Sequence, residues 1–349
     1  YSETILNHYK PIIEIKPNLF EILIPDTLEK EKVRNIRNIF NTKDLIIRSF
    51  DELINNNLIY EKLISNHGEH KLDLYNNQKK KLKGKIPVIQ LLGRKNIRFM
   101  YSNGKLRWNL SYWNKYYNGI LCYGPYYENK LYKKHKIPTK QMGYPRFDKY
   151  FTPGFNKNEL MKKFTCNSNK KTIVWLTTCS NLSSVDKFIK SISSLRKDYN
   201  IVVRPHPLMK RDDPNNYKKL FNVGFNYVDD NEDDNVQLYA IADLMLFDYG
   251  GSMFGALYLN KNFAFLEMNL EARRHKDLGS ISSEDYIKSF FPERIANKDN
   301  LKLVCNYCLK NPPSNSILEE LKEEFFNTNY QGNSAERACE ILMSNNWLV

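Results

Sequence analysis

Arg204-Pro205-His206-Pro207 follows directly on the apolar run Tyr199–Val203. A strand of that composition, closed by two prolines that fix the backbone, delivers an arginine and a histidine at its carboxyl end. A guanidinium suits bidentate contact with phosphate, and a neighbouring imidazole can donate to a phosphate oxygen or carry a proton. The competing reading is a strand-terminating turn with a solvated histidine. A second group, Asp248-Tyr249-Gly250-Gly251-Ser252, lies between the apolar run Leu244–Phe247 and a helical run beginning Ser252-Met253-Phe254-Gly255. Glycines at a strand-to-helix turn let backbone N–H groups approach an anion, and a helix N-terminus favours negative charge. The same residues would also serve a tight turn in which Asp248 or Ser252 only caps the helix. Their glycine spacing fits neither a Walker A loop nor a dinucleotide fingerprint. Together the two groups predict one phosphate site contacted from two strand ends, through Arg204, His206, Asp248, Gly250, Gly251 and Ser252. The third group, Gly143-Tyr144-Pro145-Arg146-Phe147-Asp148, reads either as a linker turn or as a seam from which Arg146 reaches a phosphate.

The elements that must position these residues alternate between strand and helix. Asn18–Pro25 and Asp44–Arg48 read as strands, with helices at Glu29–Phe40 and Asp51–Ser65. Lys85–Leu92 and Gly119–Tyr123 read as further strands, the latter followed by a helix from Pro125 to His135. After a break at Tyr150–Lys171 the alternation resumes: strands Thr172–Leu176, Tyr199–Arg204, Phe225–Val228, Leu244–Phe247 and Asn262–Leu266, with helices between them. Helices at Ser316–Phe326 and Ser334–Ser344 close the chain. Strands alternating with helices of this length predict parallel sheets covered on both faces. The expected fold is α/β, two doubly wound Rossmann-like domains facing a cleft, with ligands at the carboxyl ends of the strands. The expected division is a first Rossmann-like domain at residues 1–148, a linker at 149–171, a second Rossmann-like domain at 172–330, and a C-terminal helix at 331–349 packing back on the first domain.

Composition narrows the partners. With 349 residues and 42% apolar content the chain can bury two cores, which excludes wholesale disorder. Its 53 Lys+Arg against 39 Asp+Glu give +14, which favours nucleotides, phosphorylated polymers or an anionic membrane face. Six cysteines are too few for a disulfide scaffold and suit a reducing compartment. Cys305-x-x-Cys308 lies in a run that reads as a helix and has no second pair at zinc spacing. No apolar run approaches the roughly 18 residues of a membrane span, and no signal peptide is visible. The expectation is a cytoplasmic protein, free or peripheral at the inner face of the plasma membrane. No nucleic-acid-binding signature appears, so nucleic acid is not an expected partner.

In this order and spacing, the three groups resemble the CDP-glycerol glycerophosphotransferase family, the teichoic-acid polymerases and primases. The family's G-x-P-R-x-D segment is matched by Gly143–Asp148, and its strand ending in His-Pro by His206-Pro207. Its Ala-Asp-Leu strand running into Asp-Tyr-Ser-Ser is matched by Ala242-Asp243-Leu244 through Asp248-Tyr249-Gly250-Gly251. The likeness spans residues from about Lys85 to Glu267 and marks a divergent member. It departs at three places. Gly250-Gly251 replaces Ser-Ser, so hydroxyl contacts to the donor become backbone contacts. The family's Trp-His-Gly segment, whose histidine is often taken as the catalytic base, has no histidine in the corresponding Gln90-Leu91-Leu92-Gly93-Arg94-Lys95. Thr177-Thr178-Cys179-Ser180 stands where the family tends to show Pro-Thr-Trp-Arg.

The resemblance implies the fold of the B-type glycosyltransferases. It also implies transfer of a phosphoryl-polyol unit from a CDP-activated donor to a hydroxyl of a surface polysaccharide or teichoic-acid-like acceptor, with CMP leaving. A nucleotide-sugar glycosyltransferase for capsule or lipopolysaccharide synthesis is the alternative, and a non-catalytic binder of anionic polymer is a third. His206 is the expected catalytic residue. His67, Asp148 and Asp248 are the substitutes for the missing base, with no choice among them. The pattern of two histidines and a glutamate at His67-Gly68-Glu69-His70 lacks metal-site spacing. Arg94, Lys95, Arg98 and Lys105, with Lys79–Lys81, form a basic stretch expected to hold an anionic acceptor polymer or a lipid-diphosphate head, and Glu267 is a candidate for the nucleotide ribose. No cofactor is implied, and the sequence does not call for a divalent metal.

Overall fold

The computed structural model describes residues 3–348 except 26–27, 29, 41–44, 69–70, 76–80, 232–233 and 269–281. The chain forms two units. The first holds Tyr1–Tyr101, Leu110–Asp148 and Glu324–Val349; the second holds Ser102–Asn109 and Lys149–Glu323. This division differs from the sequence reading in the segment 102–109, in the assignment of 149–171, and in where the second unit ends. Residues 149–171 carry helix Lys157–Lys163, which packs on helix Val236–Ile241 of the second unit.

The first unit opens with helix Glu3–Ile15 and a parallel pair, β1 (Glu21–Ile24) and β2 (Ile46–Ser49). Alternate residues Ile22 and Ile24 turn inward against Ile13, Ile36, Phe40 and Leu45. An antiparallel pair, β4 (Lys71–Tyr75) and β5 (Lys81–Pro87), forms a separate two-stranded sheet. The main parallel sheet has four strands, β3 (Tyr60–Ser65), β6 (Gly93–Phe99), β7 (Gly119–Cys122) and β8 (Thr139–Gln141), ordered 3-6-7-8.

Two sequence expectations fail here for identifiable reasons. The expected helix Asp51–Ser65 is two elements, because the asparagine run 55–57 ends the helix at Asn55. Asn57 takes φ +51, and the chain then extends into β3. The expected strand Lys85–Leu92 ends at Pro87, which donates no ladder hydrogen bond, and Val88–Leu92 form one helical turn. The strand proper is β6, whose Arg94, Lys95, Asn96 and Arg98 hide it from a hydropathy reading.

The C-terminal helix Ser334–Met343 packs on helix Glu3–Ile15, where the Cys339 thiol points at the Ile12 carbonyl, 3.4 Å away. Approach of the preceding segment depends on Gly124, in extended backbone after β7. A Cβ there would lie 2.5 Å from the Cα and carbonyl carbon of Phe326. Backbone cannot step aside as a side chain can, so Gly124→Ala is expected to cost about 3 kcal/mol as an overpacking change. Equilibrium denaturant unfolding measures this, and a change below about 0.5 kcal/mol would contradict the close approach.

The second unit is a six-stranded all-parallel sheet. Its strands are β9 (Thr172–Leu176), β10 (Asn200–Arg204), β11 (Tyr227–Val228), β12 (Leu244–Phe247), β13 (Phe263–Leu266) and β14 (Ile295–Ala296). They stand in the order 11-10-9-12-13-14, so numbered within the unit the order is 3-2-1-4-5-6, the doubly wound arrangement. Every residue of β9, β10, β12 and β13 is buried, as expected for strands covered on both faces. Trp175, Phe188, Ile192, Val203 and Leu246 form the centre of the core on one face. Cys305 and Cys308 belong to that core, on helix Leu301–Lys310, and burial pushes both thiols up, to about 12 and about 11. Among the described residues no helix is long and apolar enough to cross a membrane.

Candidate active site

The order of the second sheet reverses between β9 and β12. At such a switch point, loops leaving the carboxyl ends of adjacent strands diverge and leave a crevice. Leu176 pairs with both Arg204 of β10 and Phe247 of β12, so the three strands end level. Thr177–Ser180, Pro205–Pro207 and Asp248–Ser252 therefore leave the sheet side by side.

At the end of β10, Arg204 does not turn outward. Its Nη1 donates to Asp229 Oδ2 at 2.6 Å, and both side chains are 7% exposed. Asp229 is anchored in turn by its N–H to the Val203 carbonyl at 2.8 Å. The guanidinium is thus spent on fastening the segment after β11, against the expectation that it faces a phosphate. His206 is half-buried, and its Nδ1 accepts the Leu208 N–H at 3.2 Å. That bond places the proton of the neutral ring on Nε2. Burial first, and then the charge of Lys105, push the imidazole down to about 4, against an opposing pull from Asp212. At neutral pH His206 is an uncharged ring with its Nε2–H as the available donor.

At the end of β12, Asp248 is fully buried and its carboxylate is consumed locally. It accepts the N–H of Thr178 at 3.0 and 3.1 Å, Ser184 N–H at 3.0 Å, Ser184 Oγ at 2.9 Å and Tyr249 N–H at 2.8 Å. Burial pushes this carboxyl up while those donors pull it down. Here too the expected phosphate contact is replaced by an organising one: Asp248 ties the β9 turn to the β12 turn. Lys288 Nζ donates to the Asp248 carbonyl at 2.9 Å and sits 3.8 Å from the centre of the Tyr249 ring. Gly250 takes φ +116, a region closed to other residues, and a Cβ there would also lie 3.1 Å from Thr178 Cγ2. No acceptor among the described residues faces the N–H of Gly250 or Gly251.

Residues 102–109 complete this edge of the unit; the sequence reading singled out Lys105 among them, as part of an acceptor-holding basic stretch, and did not place it here. Asn109 Nδ2 closes the segment on itself by donating to the carbonyls of Ser102 and Gly104, at 3.0 and 2.7 Å. Ser283 Oγ donates to the Asn103 carbonyl at 2.8 Å, and the Lys105 N–H donates to Glu284 Oε1 at 3.0 Å. A Cβ on Gly104 would lie 2.7 Å from Glu284 Oε1 and 3.3 Å from Gly250 C and Gly251 N. On Gly251 it would lie 2.6 Å from Ser102 Oγ. The only local signal in the sequence is Asn103-Gly104, which reads as a turn and says nothing of where the turn docks.

Of the remaining candidates, one lies at another strand end of this unit and the others belong to the first unit. Glu267, at the end of β13, is exposed and pairs with Lys187 at 3.7 Å. In the first unit, Arg94 is exposed opposite Glu61 at 3.6 Å, and Lys95 is half-buried. Arg98 is fully buried, which corrects its expected surface role. It lies 4.6 Å from the centre of the Trp113 ring, its Nη1 donates to Asn114 Oδ1 at 2.8 Å, and burial lowers it to about 10. His67 follows β3 rather than a helix, at a strand's carboxyl end, edge-on to Trp113 at 6.4 Å. Glu69, His70, Lys79 and Lys80 lie outside the described residues. Arg146 Nη1 faces Nε2 of the buried His8 at 3.0 Å. Gly143 (φ +73) admits Ser334 against its Cα, and Asp148 Oδ2 caps the C-terminal helix by accepting Ala335 N–H at 2.6 Å. Burial raises the Asp148 carboxyl to about 6.

The doubly wound second unit, following a first unit that is also built on a parallel sheet, defines the α/β fold of the B-type glycosyltransferases. Solved structures with this fold include the wall teichoic acid polymerase TagF soaked with CDPG, with TM-score 0.56 and 16% identity over 99% of this chain and 87% of that one. They also include UDP-GlcNAc 2-epimerase from Neisseria meningitidis bound to UDP-GlcNAc, with TM-score 0.52 and 16% identity over 99% and 98%. Anabaena Alr3699/HepE in complex with UDP and glucose aligns with TM-score 0.51 and 8% identity over 98% and 95%. Identities this low establish the fold alone. A comparison with curated proteins found no match. The profile of the CDP-glycerol:poly(glycerophosphate) glycerophosphotransferase family matches residues 107–344, and the chain belongs to that family. It is a transferase.

Proposed function

We propose that the protein moves a glycerol-phosphate-type unit from a CDP-activated donor to a hydroxyl of a teichoic-acid-like polymer, releasing CMP. The observation that carries this reading is the switch-point edge of the second sheet. There the neutral His206 ring, after β10, has its proton on Nε2, and one strand over, past β9, the β12 turn carries Gly250 and Gly251, whose N–H groups face no acceptor among the described residues. Such donors suit a phosphate anion. The acceptor oxygen attacks the donor's distal phosphorus in line. The phosphorus–oxygen bond to CMP breaks, CMP leaves with the electron pair, and the acceptor's proton passes to a base or solvent. The protein's share in this chemistry is positioning and charge stabilisation.

In this reading His206 and the N–H groups of Gly250, Gly251 and Ser252 contact the diphosphate. Arg204 and Asp248 act by holding the turns that carry them. Glu267, on the neighbouring strand end, remains the candidate for the ribose. His67 in the first unit is the proposed base, being the histidine after a parallel strand there. Arg94 and Lys95 are the proposed acceptor contacts, and the net charge of +14 favours an anionic polymer or a lipid-linked acceptor at a membrane face.

The test is a thermal-shift series with CDP, UDP, GDP and ADP, followed by identification of the products and the transferred group by mass spectrometry. A ligand that binds only the folded state raises the melting temperature. Selective stabilisation by CDP, with CMP released and glycerol phosphate added to the acceptor, is the expected result. Release of a nucleoside diphosphate and transfer of a sugar would instead establish a nucleotide-sugar glycosyltransferase. No stabilisation by any nucleotide would overturn the reading.

A further inference from the structure

Lys105 is placed with unusual care for an ordinary surface lysine. It takes φ +57, a left-handed conformation that a lysine adopts at a cost of about 1 kcal/mol. Its N–H is pinned to the fully buried Glu284, and the residues before it are held by Ser283 and Asn109. Gly104, immediately before it, lies against the backbone of Gly250 and Gly251. Two independent parts of the fold, the segment 102–109 and helix Ser283–Ser289, therefore spend hydrogen bonds on fixing one lysine backbone at the switch-point edge. The side chain is half-buried, and its charge is felt by His206 and by Cys179 in the β9 turn. Among the described residues no carboxylate or carbonyl takes a hydrogen bond or ion pair from its ammonium. The carboxylate that could have neutralised it, Glu284, is occupied with its N–H instead. Strain held at one position by surrounding contacts is characteristic of functional sites.

We infer that Lys105 supplies the cationic contact to the donor's diphosphate, sharing that anion with His206. The inference rests on the phosphoryl-transfer reading and deepens it. The chain brings Arg204 to this edge but buries it on Asp229, so the charge that balances the diphosphate comes from residues 102–109. A lysine does this as a compact point charge. It also stabilises the charge that gathers on the departing CMP phosphate.

The experiment compares Lys105→Met, Lys105→Arg and wild type for binding of CDP and of cytidine by titration calorimetry, with Lys302→Ala as an exposed control. Lys105→Met keeps the side-chain length and leaves the pinned N–H in place, so the loop is retained. It is expected to weaken CDP by about thirtyfold, the value of one hydrogen bond to a charged group. Cytidine, which has no phosphate, should bind unchanged, and Lys105→Arg should recover CDP to within about threefold, since it restores the charge. Equal loss of CDP and cytidine in Lys105→Met would show that the residue only shapes the loop and would overturn the inference. So would CDP binding equal to wild type. Failure of wild type itself to bind CDP is a separate outcome and overturns the functional reading on which this one stands.

Discussion

Replacing His206 by alanine is expected to lower turnover about a thousandfold, the usual effect of losing one donor aimed at developing charge. The melting temperature should stay close to wild type. The ring is half-buried, and its intramolecular bond from the Leu208 N–H is worth about 1 kcal/mol. His206→Gln separates the possible roles. A glutamine amide can donate a hydrogen bond but cannot shuttle a proton, so a donor role predicts that Gln retains much more activity than Ala.

The pH dependence follows from the low pKa of about 4, which lies below the ordinary histidine value because of burial and Lys105. In the unfolded chain the ring takes up its proton at higher pH than in the folded one. The stability that His206 contributes is therefore complete above about pH 6.5 and is lost as pH falls from there toward 4. A bound diphosphate favours the protonated ring and raises this pKa. CDP binding by wild type should thus take up protons between pH 4 and 6.5 to a greater extent than binding by His206→Ala. Calorimetry in buffers of different ionisation enthalpy measures the difference. Equal turnover in wild type and His206→Ala would remove this histidine from the site.

The second large effect concerns stability. Arg204→Ala leaves the buried Asp229 carboxylate with the Asn231 amide but without its charged partner, at an expected cost of about 3 kcal/mol. In a unit of this size that lowers the melting temperature by roughly 10 °C. Replacing the pair together, as Arg204→Met with Asp229→Leu, should recover most of the loss, because no uncompensated charge remains. Differential scanning calorimetry of the single and double variants gives the coupling directly. CDP affinity in the double variant should match wild type once both proteins are folded. If Arg204→Ala instead melted like wild type and failed to bind CDP, Arg204 would be a phosphate ligand after all.

The two halves of the chain differed in how much of this could be read from sequence. In the second unit, Thr172–Leu176 and Leu244–Phe247 end where the apolar runs end, because fully buried parallel strands are continuous apolar segments, here stopped by Thr177 and Asp248. The first unit hid β6 behind Arg94, Lys95, Asn96 and Arg98, since a strand may bury charge when an aromatic ring and an amide receive it, as Trp113 and Asn114 do for Arg98. Hydropathy has no access to such a partner fifteen residues away.

The sequence by itself determined the α/β class, the ends of the strands from which the site is built, and the family resemblance carried by His206-Pro207 and Gly143–Asp148. Local chemistry suffices for those, because apolar runs, prolines and glycines act within a few residues. Only the tertiary structure decided what each polar side chain faces. Arg204 and Asp248 have the residue types of phosphate ligands, yet Asp229 lies 25 positions from the first, and Thr178 and Ser184 lie 70 and 64 from the second. Lys105, which its neighbourhood in the sequence groups with the acceptor-holding basic residues, instead has its N–H on Glu284 across 179 positions and so stands beside the turn after β12. Ligand and structural roles differ only in whether another part of the chain has already satisfied the group, and that is settled by contacts distant in sequence.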